Sequence, residues 1–160
     1  MKPKKITLKV RTALGAGNIR EANALLGDLY SVQGIVVAGR KLGRTIGFPT
    51  ANLKLNERSP LFLANGVYAV RVKHQKTLYN GMANIGIRPT FEQHVLTVEV
   101  NLFDFDEDLY GQKLTLCFIE KIRDEKKFPG LEELKRQISH DKTRITELLA
   151  GWDHTDTHTK

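Results

Sequence analysis

Only one cysteine, Cys117, occurs in the 160 residues, which excludes an intramolecular disulfide and argues against a cysteine-based zinc cluster. Aromatic residues make up just 8% of the chain, and no RNA-reading motif with interleaved aromatics is present. No apolar run approaches the ~20 residues that a bilayer span requires. The opening Met1-Lys2-Pro3-Lys4-Lys5 is basic, but the residues after it are too polar for an export segment. Internal repeats are absent, as is any linker long enough to separate two domains. A soluble, cytoplasmic, single-domain protein is therefore expected. Hydrophobic residues at 41% and charged residues at 27% lie near globular averages, which excludes a wholly disordered chain. This length suits one domain with a core of its own.

The charge is unbalanced: 25 Lys and Arg face 18 Asp and Glu, a formal +7. Such a balance suits an anionic partner, whether nucleic acid, acidic membrane or a phosphorylated small molecule, and equally a merely solvated surface. Residues 6–29 read as helical, with Ile19, Ala22, Leu25 and Leu26 as an apolar stripe and Asn18 as its cap. Gly15 and Gly17 should split this segment, and Gly27 should close it. From Tyr30 onward the texture becomes β-branched or alternating, over residues 32–37, 67–73, 77–85, 95–103 and 114–119. Five or six short strands without intervening helices point to an antiparallel sheet closed into a small barrel. After Pro129-Gly130 a helical period returns, with Leu131, Leu134, Ile138, Ile145, Leu148 and Leu149 on one face. The domain plan is a linker-like helical segment over 1–29, a barrel with its C-terminal helix over 30–151, and a frayed tail over 152–160.

Chemistry concentrates in a few stretches. Residues 39–52 hold Gly39, Gly43 and Gly47 four apart, with the cations Arg40, Lys41 and Arg44, and Thr45, between them. Such a segment can wrap an anion with backbone N–H groups and cations, or form no more than a flexible basic hairpin; it is neither phosphate-loop fingerprint. Pro49 biases its neighbours toward extended backbone, so Thr50 and Asn52 point the same way. Their oxygens suit Mg²⁺ if nucleotide phosphates add charge, although spacing alone favours a local turn. In residues 96–102 the even positions form an apolar face, leaving Thr97, Glu99 and Asn101 opposite. Glu99 is either a rigidly held proton acceptor or a solvent-facing strand residue. The mixed charges of 121–128 read as a solvated lead-in to the last helix, with Phe128 stapling its entrance.

Taken together, six ordered blocks resemble the riboflavin kinase family. They are Gly47-Phe48-Pro49-Thr50-Ala51-Asn52, Gly66-Val67-Tyr68-Ala69-Val70, Asn84-Ile85-Gly86-Ile87-Arg88-Pro89-Thr90, Glu99-Val100-Asn101-Leu102-Phe103-Asp104-Phe105, Leu109-Tyr110-Gly111 and Ile122-Arg123-Asp124-Glu125-Lys126-Lys127-Phe128. The resemblance implies a mainly β, six-stranded antiparallel Greek-key barrel with a C-terminal helix. It implies ATP-dependent phosphorylation of the riboflavin ribityl 5′-hydroxyl to FMN, and with it a monomer that has no nucleic-acid or membrane partner. Thr50 and Asn52 match the motif that holds Mg²⁺ (Mn²⁺ or Zn²⁺ are alternatives) with ATP. Glu99 matches the proton-accepting carboxylate. Gly39, Lys41, Gly43, Arg44, Thr45 and Gly47 match a flap over nucleotide, and Asn84, Ile85 and Gly86 the nucleotide-site lining. Arg123, Lys126 and Phe128 match the loop that covers the flavin. Asn101 stands where many bacterial members carry His, and Glu107 where many carry Gly.

Residues 19–30 look like the linker that precedes the kinase domain in bifunctional bacterial enzymes that also adenylylate FMN. Their His-x-Gly-His motif does not occur here, so a kinase module without FAD synthesis is expected. The runner-up reading is a catalytically weak, flavin-binding regulatory module of the same fold; a nucleic-acid-binding basic barrel rests on charge and fold type alone.

Overall fold

The computed structural model describes residues 5–40, 47–56, 61–89 and 91–151. The five segments of β-branched or alternating texture, together with the extended stretch after Pro49, form six strands among the described residues: β1 (Ser31–Arg40), β2 (Thr50–Leu55), β3 (Gly66–His74), β4 (Thr77–Pro89), β5 (His94–Leu102) and β6 (Lys113–Arg123). All pairings are antiparallel, and the strands close in the order β1-β2-β5-β4-β3-β6. Closure removes the sheet edges that an open antiparallel sheet would expose.

Alternation sorts the side chains into two apolar clusters. Val32, Val36, Leu53, Tyr68, Val70, Val72, Ala83, Ile85, Val98, Val100, Leu102, Leu114, Leu116 and Phe118 fill the barrel. Val67, Ala69, Met82, Phe103, Ile119 and Ile122 point outward and are covered by Ile145 and Leu149 of the last helix, α3 (Leu131–Ala150). Cys117 alternates with the buried Leu116 and Phe118 and lies half-buried on the outside, as its place in the alternation suggests.

Two short helices precede the barrel: α1 (Leu8–Gly15) and α2 (Ile19–Leu26). Val10, Ala13, Leu14, Ile19 and Ala22 join the same cluster as the barrel interior. The Asn23 carboxamide fastens α2 to the sheet, donating to the Phe118 carbonyl (3.0 Å) and accepting from the Tyr30 N–H (2.7 Å). Gly27 ends α2 in the left-handed conformation, as read from the sequence. Asn18 is the N-cap residue of α2, as read, although its side chain makes no capping bond; Thr7 caps α1, its side chain accepting from the Val10 N–H. Leu25 is 47% exposed, while Ile19, Ala22 and Leu26 of the same helix pack against the core. The tail 152–160 lies outside the described residues.

Candidate active site

Strand register assembles the site. Ala51, Leu53 and Leu55 of β2 pack toward the barrel interior, so Thr50 and Asn52 take the outer face. By the same parity Val98, Val100 and Leu102 face inward and Glu99 and Asn101 outward, while Ala83 and Ile85 face inward and Asn84 outward. Asn52 pairs directly with Glu99 across β2 and β5, and Glu99 pairs with Asn84 across β5 and β4. The row continues from Asn84 to Val67 on β3 and from Val67 to Arg123 on β6. Directly opposed residues share a face with Cβ atoms ~5 Å apart. Glu99 therefore stands between two carboxamides, each one strand away, and all three are half-buried.

Two polar atoms in this neighbourhood are buried without a hydrogen-bond partner among the described residues: Thr50 Oγ1 and Asn84 Oδ1. A buried unpaired oxygen costs on the order of 1–3 kcal/mol, so a site that keeps two of them flanking a carboxylate is shaped for a ligand. Thr50 is held from behind. Asn101, itself buried, donates its amide N–H to the Pro49 carbonyl and fixes the start of β2. Gly47, just upstream, has φ +84°, a left-handed turn that favours glycine. Thr50 Oγ1 and the Asn52 carbonyl are hard oxygen donors on one rail, and with phosphate oxygens they fit a magnesium-type cation. Among the described residues no cluster of three or more His, Cys, Asp or Glu could hold a metal by itself.

The other end of the row is a loop, 124–130, clamped on both sides. Arg123 forms a forked pair with Asp141 of α3, donating from Nε at 3.1 and 3.0 Å and from Nη2 at 2.8 Å. Gln137 Nε2 donates to the same carboxylate (2.9 Å), and Arg123 Nη1 donates to the Asp124 carbonyl (3.1 Å). Lys121 meets the Asp124 carboxylate at 2.6 Å, and that hydrogen bond and charge hold the Asp124 carboxyl below its ordinary value. Burial, and then the Asp124 charge, push the Tyr68 phenol up to about 12. Gly66 lets this clamp close, since a Cβ there would lie 2.7 Å from Lys121 Cε and 2.8 Å from the Arg123 carbonyl oxygen. Phe128 lies beneath two cations, its ring 5.8 Å from the guanidinium of Arg123 at the end of β6 and 5.6 Å from the Lys126 ammonium of the loop.

The structure thus brings Thr50, Asn52, Glu99 and Asn84 onto one outer face, and Arg123 at the end of β6 together with Lys126 and Phe128 of the loop that follows. Asn84 lies on the side of Glu99 away from Thr50 and Asn52. Ile85 is wholly buried in the barrel, which leaves no part of its side chain for a nucleotide. Gly39 lies on β1, paired with Ala51, while Lys41, Gly43, Arg44 and Thr45 lie outside the described residues. Asp141 and Gln137 went unread in the sequence. The signal was present: Asp141 sits in the stripe Ile138, Ile145, Leu149 that α3 presses on the barrel, a carboxylate in an apolar position.

Comparison with known proteins agrees with this fold. The family model described as flavokinase, riboflavin kinase, matches residues 26–149. The bifunctional riboflavin kinase/FMN adenylyltransferase of Bacillus subtilis (strain 168) is 47% identical over 145 residues, 89% of this chain and 46% of that protein. The chain thus spans a little under half the length of such curated relatives. A crystal structure described as a macrolide-efflux protein from Streptococcus pneumoniae superposes with TM-score 0.83 at 39% identity, over 93% of this chain and 48% of that one. Riboflavin kinase from Trypanosoma brucei shares the fold, with TM-score 0.53 at 24% identity over 76% of this chain and 80% of that one. No described helix is long and apolar enough to cross a membrane. A closed six-stranded antiparallel barrel with this match over most of its length leaves one conclusion: the chain belongs to the riboflavin kinase family.

Proposed function

We propose that this chain transfers the γ-phosphoryl group of ATP to the terminal 5′-hydroxyl of the riboflavin ribityl chain, giving FMN and ADP. The observation that carries this reading is the register that sets Glu99 directly beside Asn52, with Thr50 Oγ1, unpaired among the described residues, two residues away on the same rail.

Phosphoryl transfer asks a protein for alignment and charge neutralisation more than for covalent chemistry. Thr50 Oγ1 and the Asn52 carbonyl would hold Mg²⁺ together with the phosphate oxygens; Mn²⁺ suits the same hard donors, and Zn²⁺, which favours nitrogen and sulfur ligands, suits them less. When bound, the cation supplies neutralisation of phosphate charge. Asn101 keeps the β2 rail in place through Pro49. Glu99 accepts the proton of the attacking hydroxyl as the new P–O bond forms. Arg123, its fork taken up by Asp141, holds the 124–130 loop, and Lys126 and Phe128 present a cationic, aromatic edge to the flavin ring.

Incubation with riboflavin and Mg-ATP, followed by chromatography, should yield FMN. Thr50→Ala or Asn52→Ala should weaken Mg-ATP binding by roughly tenfold, about the value of one lost interaction of this kind, and leave riboflavin binding nearly unchanged. Equal losses for both ligands by calorimetry would contradict the assignment of the β2 rail.

A further inference from the structure

Asn84 is the member of the row that the transfer step leaves unexplained. It opposes Glu99 on β4, across from the β2 rail. Its Oδ1 is buried and has no hydrogen-bond partner among the described residues. Beyond it the row meets Val67, which is buried in the cluster beneath α3, and then Arg123, which leads into the Phe128 loop. If phosphate is held on the β2 side, the attacking hydroxyl must approach Glu99 from the other side, because donor and acceptor oxygens lie in line across phosphorus. That other side is Asn84.

We infer that Asn84 Oδ1 accepts a hydrogen bond from an inner hydroxyl of the ribityl chain, one or two carbons from the reacting end. Riboflavin then runs across the strands rather than along them. Its terminal hydroxyl sits at Glu99, its polyol crosses Asn84, and its ring stops against the loop that carries Phe128. One strand spacing, ~4.8 Å, matches the reach from a terminal hydroxyl to an inner one. The arrangement gives specificity: a buried acceptor is satisfied by a polyol and left stranded by a plain alkyl chain, the kind of difference on which hydroxyl recognition depends. It also places Asn84 on the acceptor side of the site, not on the nucleotide side. The inference rests on the riboflavin-phosphorylating reading above.

The test compares riboflavin with a flavin whose N10 chain is a plain five-carbon alcohol, retaining only the terminal hydroxyl. Binding of each is followed by flavin fluorescence and turnover by product chromatography, in the unaltered chain, Asn84→Ala and Asn84→Ser. The unaltered chain should favour riboflavin, and Asn84→Ala should shrink that preference by roughly tenfold, with the KM for Mg-ATP unchanged. Asn84→Ser, which restores a smaller acceptor, should recover part of the preference. Loss of the Asn84 side chain strands no partner, so Asn84→Ala should melt with the unaltered chain. A preference that survives Asn84→Ala undiminished overturns the inference, as does a rise in the Mg-ATP KM without a change in preference. Preferential riboflavin binding that depends on Asn84 in a chain that forms no FMN would support the inference and refute the phosphorylation reading.

Discussion

Replacing Glu99 by glutamine should reduce FMN formation by roughly a thousandfold, within the ~10²–10⁴ that a positioned proton acceptor contributes. Glutamine keeps the shape and the strand position but cannot take the hydroxyl proton. Glu99 lies half-buried on the outer face of β5, so the barrel interior, built from Val98 and Val100 on either side of it, is untouched. Melting temperature and the KM values for riboflavin and Mg-ATP should stay close to those of the unaltered chain, placing the loss in kcat, the signature of an interaction made in the transition state. Glu99→Asp should recover only part of the rate, because the carboxylate withdraws by one carbon from the hydroxyl it must meet. Near-normal turnover of the glutamine variant in a steady-state assay would remove Glu99 as the acceptor.

Asp141→Ala should be the most destabilising single change outside the apolar cores. Asp141 is 1% exposed and pairs in fork geometry with Arg123, whose side chain is 20% exposed; Gln137 shares the same carboxylate. Truncation strands a largely buried guanidinium, a change that costs about 3–5 kcal/mol. Even ~3 kcal/mol should lower the melting temperature by roughly 6–12 °C for a chain of this size. The loss should also reach function, because Arg123 carries the 124–130 loop through the Asp124 carbonyl and Phe128 stacks beneath it. Riboflavin affinity should therefore fall by more than Mg-ATP affinity in the folded variant at low temperature. A thermal midpoint unchanged in calorimetry would show that Arg123 and Asp141 contribute no net stability.

Much of this fold was legible in the sequence, for reasons that differ by element. Alternation over residues 96–102 was enough to turn Glu99 outward, because side-chain parity along a strand is a local property. Gly27 likewise marked the end of α2, its left-handed backbone being a local demand. Register between strands distant in sequence was not legible. That Asn52 and Asn84 flank Glu99 depends on β5 inserting between β2 and β4, a choice made by closure of the whole barrel. Resemblance to a family supplied the constellation; local pattern did not. Asn18 does stand at the N-cap of α2, without a side-chain bond, whereas the exposure of Leu25 was not legible, since it depends on which side of a short helix meets the barrel. Asp141 was hidden because a charge in an apolar stripe declares itself only when its partner is known, and Arg123 lies on another element.

The most direct test is a crystal structure of the chain with riboflavin, magnesium and a non-hydrolysable ATP analogue. The 5′-hydroxyl should lie within ~2.6–3.2 Å of a Glu99 carboxylate oxygen, with the γ-phosphate on the Thr50 and Asn52 side and the ribityl chain crossing Asn84. A 5′-hydroxyl bound elsewhere, with Glu99 touching neither flavin nor phosphate, would contradict it.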